Sequence, residues 1–281
     1  MKRVAIQGGL GAYHGIAAER FFKNEDVEII PCTTFKDIFI TIEKDPNVVG
    51  IMAIENTIAG SLLPNYELLK EYNYAIAGEY KLRISHCLAA LPGQGIHQIR
   101  EIHSHPIALM QCKDFMNTLP GVKAVEHEDT ALAARDIQSG KITGQAAVCS
   151  ERAAEIYGLE VLAKGIETNK RNFTRFLVFG NQWVVDEIQQ DEVINKASIV
   201  FTLHHSEGSL SKVLSVFSFY DINLTKIQSL PIIGREWEYQ FYVDFKFADH
   251  ERYKQSLVAI RPLVKEIRTL GEYVEGITPV E

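Results

Sequence analysis

Short apolar runs separated by stretches of helical period fill the first 180 residues. Residues 4–6, 27–30, 48–54, 86–91, 123–126, 146–149 and 176–179 read as strands. Between them 16–22, 34–44, 65–72, 106–116, 130–139 and 150–157 repeat apolar residues at helical spacing. Strands alternating with helices predict an α/β fold with mainly parallel sheets covered on both faces. Thr34 and Asp129 suit helix N-caps, and Gly140 and Gly158 suit helix stops. The stretch 74–83 is long and partly alternating, so it can carry the chain from one lobe to another. A return near residue 160 then gives a first lobe of about 1–77 and 160–180 and a second of about 78–159.

The pattern changes after residue 180. Residues 181–196 hold Asp186, Glu187, Asp191 and Glu192 against one lysine and read as a linker. Beyond it come strand 197–203, helix 209–220, strands 223–230 and 239–247, helix 250–264 and strand 267–273. This βαββαβ order is the ferredoxin-like plan, here a domain of 197–281. Such a unit alone leaves one sheet face without helices and two open edges, which favours pairing with a second copy.

Composition narrows the function classes. A formal net charge of −7 and a pI of about 5.8 argue against nucleic acid as a partner. No run approaches the roughly 18 apolar residues of a membrane span. The N-terminus reads as a first strand rather than a signal peptide. Cys32, Cys87, Cys112 and Cys149 lie far apart with no CxxC pair, so they read as buried, reduced thiols of a cytoplasmic protein without a metal site.

Chemistry concentrates in four places. Thr174-Arg175-Phe176 opens the apolar run that ends at Gly180. Arginine is rarely buried without an anion, and its planar fork suits a carboxylate. Two readings stand: a clamp on an acidic small molecule, or an ordinary ion pair inside the fold. Glu55, Asn56 and Thr57 follow a fully apolar strand, where α/β sites collect polar groups. Ser104 ends another strand, Pro106 starts a helix, and Gln111 lies about two turns on, with Cys112 beside it as a buried thiol. His105 reads as a helix-start histidine bonded to backbone or water. Gly8-Gly9-Leu10-Gly11 follows the first strand, but His14 stands where a dinucleotide fingerprint needs glycine, so it predicts a substrate loop without a cofactor.

Together these segments resemble one enzyme family. Gly8–Tyr13, Ile54-Glu55-Asn56-Thr57-x-x-Gly60, Ser104-His105-Pro106-x-Ala108-Leu109-x-Gln111-Cys112 and Asn172-x-Thr174-Arg175-Phe176 have the order and spacing of prephenate dehydratase. Gly208-Ser209-Leu210-x-x-x-Leu214 and Asn223-Leu224-Thr225-Lys226-Ile227 resemble the ACT regulatory domain fused to that enzyme. The resemblance implies a catalytic region with two lobes like type-II periplasmic binding proteins. It implies cofactor-free conversion of prephenate to phenylpyruvate, water and carbon dioxide. An ACT homodimer or homotetramer binding L-phenylalanine is implied as well. Departures are Ala12-Tyr13-His14 where Thr-aromatic-Ser is usual, Ile107 where Gln is usual, and Gln228-Ser229-Leu230-Pro231 for Glu-Ser-Arg-Pro.

Carried onto this chain, the chemistry assigns Arg175 to a substrate carboxylate and Thr174 to the departing hydroxyl. Asn56, Ser104 and Gln111 hold the substrate, with Gly11, Thr57, Cys112 and Phe176 around it. Glu55 is an acid in a dry cleft and an anchor if paired. Gly208, Ser209, Leu210, Asn223 and Leu224 receive the effector. Arogenate, with an amino group on the side chain, and a role as a non-catalytic sensor remain the alternatives.

Overall fold

A computed structural model of the chain describes residues 1–204, 206–232, 234–235 and 238–276, so the last residues of the expected 197–281 domain lie outside it. It falls into two compact units. One joins Met1–Leu62 to Tyr80–Phe176, and the other joins Leu63–Glu79 to the described residues from Leu177 to Gly276.

The first unit follows the order β1 (Lys2–Gln7), α1 (Tyr13–Phe21), β2 (Val27–Cys32), α2 (Phe35–Lys44), β3 (Val49–Asn56) and β4 (Gly60–Ser61). Helix α3 (Leu63–Tyr72) belongs to the second unit, and β5 (Ala75–Arg83) runs from the second into the first. Then come β6 (Cys87–Ala90), β7 (Glu101–Ser104), α4 (Pro106–Gln111), α5 (Lys113–Asn117), β8 (Lys123–Glu126), α6 (Thr130–Gly140), β9 (Gln145–Cys149), α7 (Glu151–Ile156), β10 (Glu160–Lys164) and β11 (Phe173–Gly180), the last running from the first unit into the second. One sheet has the order β2-β1-β3-β11-β5, with β4 attached to β3. The other has the order β10-β6-β9-β7-β8.

Strand β1 is parallel to β2 and β3, and β7 is parallel to β8 and β9. Strand β6 runs antiparallel to both β9 and β10, so the second sheet is mixed rather than mainly parallel. Runs buried on both faces look alike in either sense, which is why the pattern missed it. The Thr34 hydroxyl accepts from the Asp37 N–H while Asp37 accepts from the Thr34 N–H, a capping box that starts α2 and sends Ile38, Phe39 and Ile42 inward. Gly140 remains the last helical residue of α6, and the left-handed stop falls on Lys141 (φ +46°). The helix expected over 106–116 breaks at Cys112 into α4 and α5.

In the second unit, the expected linker holds a helix, α8 (Gln182–Ile188). Then β12 (Lys196–Thr202), α9 (Ser209–Phe219), β13 (Asn223–Pro231), β14 (Tyr239–Lys246), α10 (His250–Ile260) and β15 (Glu266–Tyr273) follow in βαββαβ order. The sheet order is β13-β14-β12-β15. Ile199, Phe201, Phe217, Val243, Phe245 and Tyr253 form the core of this sheet and its helices. The face expected to lack helices is covered by residues 63–79. Tyr66 packs on Tyr242 with ring centres 5.0 Å apart, Lys70 donates to Gln240, and Arg268 donates to the Lys70 carbonyl. Leu210 and Leu224 pack against the core, so the expected effector segments offer mainly backbone there, while Gly208 and Asn223 are exposed.

Candidate active site

The first unit contains a cavity of about 400 Å³, within the usual range for small-molecule sites. Strand ends and helix starts build its wall. Asn56 ends β3, Thr174 and Phe176 open β11, Ala12, Tyr13 and His14 begin α1, and Gln111 ends α4. Phe35, Ala53, Leu62, Ile84 and Ile107 give it apolar sides. Among the described residues that line it there is no lysine or arginine, whereas Glu128 and Asp129 both do.

A hydrogen-bonded chain runs through the polar wall. Asn56 Oδ1 accepts from the N–H groups of Ile58 and Ala59, each at 2.9 Å. Its Nδ2 donates to Thr174 Oγ1 at 2.9 Å and to Asn172 Oδ1 at 2.8 Å. Asn172 Nδ2 donates to Gln111 Oε1 at 3.0 Å, and His86 Nε2 lies 3.1 Å from the same oxygen. Tyr13 Oη sits 2.9 Å from His86 Nδ1 and 2.7 Å from the Ser85 carbonyl. Asn172 and His86 are buried, so each polar atom in this chain has to be answered by protein.

The residues expected around one crevice divide. Asn56, Gln111, Thr174 and Phe176 line the cavity. Glu55, Thr57 and Arg175 line a neighbouring hollow, which shares Asn56 and Thr174 with it. The pleat turns successive side chains of β11 to opposite faces, so Arg175 cannot point where Thr174 and Phe176 point. Arg175 is buried with its guanidinium 3.7 Å from Glu55, the ion pair of the blander reading, and Glu55 is accordingly paired. Thr57 ties its loop to the start of β11, donating to the Arg171 carbonyl and accepting from the Phe173 N–H.

Three residues sit behind the wall rather than in it. Ser104 is fully buried and donates to the Val148 carbonyl on β9. Cys112 is fully buried where α4 ends, and burial pushes its thiol up to about 12. Gly11 (φ +83°) lies against α7, where a Cβ would come within 2.6 Å of Ala153 Cα, and its carbonyl accepts from the Ser150 hydroxyl. Gly11 thus packs closely against α7 and does not line the cavity. Asp129 closes the same corner, accepting from the N–H groups of Gly9, Ala131 and Leu132.

Tyr13, His14, His86 and Asn172 were not among the expected site residues. The first three come from an N-terminal turn and from the start of a strand, and no local pattern marks their meeting. His105 behaves as expected of a helix-start histidine: its Nδ1 accepts from the Ile107 N–H. His14 Nε2 accepts from the Ala53 N–H, and its ring lies edge-on to Phe35 and Phe176. Burial lowers its pKa to about 4. An unfolded histidine titrates near 6.5, so the folded protein refuses a proton that the unfolded chain accepts. Stability at His14 is therefore complete above about pH 6.5 and falls as pH drops toward 4. Because the ring borders the cavity, about 1–3 kcal/mol is expected. Urea melts at pH 7 and pH 4.5 check it: the loss should shrink in His14→Phe, and an equal loss in both proteins rejects the assignment.

Comparison with known proteins gives a consistent picture. Residues 4–183 match the family profile described as Prephenate dehydratase. Over 281 residues the chain is 37% identical to Arogenate dehydratase/prephenate dehydratase 2, chloroplastic, of Arabidopsis thaliana, covering 96% of this chain and 72% of that protein. A solved structure of GqqA, described as a novel type of quorum quenching acylase, is 26% identical, with a TM-score of 0.86 and 98% of each chain covered. Prephenate dehydratase from Arthrobacter aurescens, solved with L-Phe, shares the fold at 24% identity, with a TM-score of 0.84 and 97% and 90% of the two chains covered. No helix among the described residues is long and apolar enough to cross a membrane.

Proposed function

The chain belongs to the prephenate dehydratase family, and from that premise we propose that it converts prephenate to phenylpyruvate, water and carbon dioxide without a cofactor, on the way to phenylalanine. The observation that carries this reading is the hydrogen-bond direction at Thr174. Asn56 Oδ1 is occupied by two backbone N–H groups, so its Nδ2 must be the end that meets Thr174 Oγ1. The threonine oxygen is thereby an acceptor toward Asn56, and its one hydrogen is left to give.

That donor is what the reaction lacks. The ring carboxylate leaves as carbon dioxide, its bonding electrons enter the ring, and the hydroxyl at the far end departs as the ring becomes aromatic. The departing oxygen takes one proton and leaves as water. Thr174 supplies a hydrogen bond to that oxygen as negative charge grows on it; its acidity is too low for it to be the final proton source at neutral pH. The substrate carboxylates fit the start of α1, whose Ala12 cap provides no side-chain acceptor for the first N–H groups. Gln111 adds a neutral donor, and the apolar side walls suit the ring. Glu55 and Arg175 brace the adjoining hollow, with Arg175 no longer assigned to the ring carboxylate.

Arogenate is the second reading, favoured by the cavity's charges. An ammonium in place of the keto group suits a wall with Glu128 and Asp129 and no fixed cation among the described residues. The Arabidopsis relative carries both activities in its name. Purified protein assayed on both compounds is expected to release product from at least one. Higher kcat/KM on arogenate selects the second reading, and turnover of neither ends both.

The C-terminal βαββαβ unit is assigned as an ACT domain that forms a homodimer or homotetramer, with Gly208, Ser209, Leu210, Asn223 and Leu224 around L-phenylalanine. Uncharged Gln228 and Leu230 stand where the family carries charges, so they bear on both the strength and the sign of that feedback. The catalytic residues 1–180 make two lobes, joined by 181–196 to an ACT domain of 197–281. A cytoplasmic location belongs to the same reading, beside an Arabidopsis relative named chloroplastic.

A further inference from the structure

The direction forced on Asn56 does not stop at Thr174. With Asn56 Nδ2 donating, Asn172 must present its oxygen to Asn56 and its NH₂ to Gln111. Gln111 must then present its oxygen to Asn172. The same oxygen faces His86 Nε2, so that nitrogen has to carry a hydrogen. In a neutral ring Nδ1 is then bare, and the Tyr13 hydroxyl, 2.7 Å from the Ser85 carbonyl and 2.9 Å from Nδ1, shares its one hydrogen between those two acceptors. Every amide in the row is oriented by the two backbone bonds at Ile58 and Ala59 and by one imidazole at the other end.

We infer that His86, backed by Tyr13, is a positioning residue that turns the Gln111 amide so that its NH₂ faces the cavity and meets an anionic or hydroxyl oxygen of the substrate. With its oxygen held by His86 and Asn172, Gln111 has only donors left for the cavity it lines. Gln111 and Thr174 thus both present donors to the cavity they line. This is how a cavity whose described lining lacks lysine and arginine can still hold an acid: with fixed neutral dipoles, preorganised and mutually polarised.

The charged surroundings fit a neutral ring. Glu167 is buried beside His86 and accepts its backbone N–H at 2.9 Å. Arg83 and Lys170 lie 3.6 Å and 3.9 Å from the other Glu167 oxygen and offset its charge. Burial lowers the His86 pKa, with Gln111 and Glu167 opposing it.

The inference rests on the cavity's being the dehydration site, but its first test does not. Nitrogen-15 NMR of histidine-labelled wild type at pH 7 should show His86 with Nε2 protonated and Nδ1 bare; the opposite tautomer overturns the inference whether or not the protein turns anything over. For function, His86→Phe is expected to raise KM about tenfold with kcat within about twofold, since the contact serves substrate and transition state alike. An unchanged KM overturns the role. Should that variant not fold, Gln111→Glu keeps both accepted bonds and loses the donors. It is expected to bind substrate at least about thirtyfold more weakly with the His86 tautomer unaltered. A switched tautomer in that variant means the amide faced the other way. Wild type inactive on both prephenate and arogenate removes the functional reading, while the imidazole signal still decides the orientation.

Discussion

Thr174→Ala is expected to lower kcat by about 10²–10³ while moving KM less than threefold, because it removes one preorganised donor that acts as charge develops. The fold should tolerate the change. Asn56 Nδ2 keeps its bonds to Asn172 Oδ1 and to the Phe173 carbonyl, so no buried donor is orphaned. Thr174→Ser restores the hydroxyl in the same place and should recover activity to within about tenfold of wild type. Product absorbance measured across substrate concentrations separates kcat from KM. An alanine variant with near-normal kcat discards Thr174 as the donor, and a serine variant as slow as alanine shows that the methyl group, not the hydroxyl, mattered.

The legibility of this site in the sequence follows a physical line. Asn56, Gln111 and Thr174, which line the cavity, are legible because each lies at a strand end or on a helix that follows one, and α/β folds gather polar groups there. Arg175 departs from the cavity expected for it because adjacency in sequence is opposition on a strand: the pleat sends it into the hollow with Glu55. The Tyr13–His86–Asn172 row stayed hidden because each member is locally ordinary, and only the packed sheets bring positions 13, 86, 111 and 172 together. His86 carried one faint mark, a polar side chain opening an otherwise apolar strand. At the level of elements, the C-terminal unit was readable almost residue for residue, since alternating strands and amphipathic helices have distinct periods. Strand direction in the second sheet was not, and neither was the cover that 63–79 gives the C-terminal sheet, which depends on tertiary contacts alone.

That cover supplies Glu79, one member of a buried ion pair whose other member is Lys196 on β12. Glu79 holds Lys196 Nζ through both carboxylate oxygens, at 2.8 and 2.9 Å, and also accepts the Gly276 N–H at 3.0 Å. Neither side chain reaches solvent appreciably: exposure is 0% for Glu79 and 4% for Lys196. Taking both ions from water costs roughly what their attraction returns, so the pair adds little net stability, but each member depends on the other. Lys196→Met is therefore expected to destabilise the protein by about 3–5 kcal/mol, because a buried carboxylate loses its counter-ion. Glu79→Leu combined with Lys196→Met removes both charges and should regain most of that loss, an interaction energy visible only in the double-mutant comparison. Urea unfolding followed by circular dichroism measures all three proteins. A single variant within about 1 kcal/mol of wild type contradicts the argument, and so does a double variant that is worse than the single, since both outcomes would mean the carboxylate never relied on the lysine.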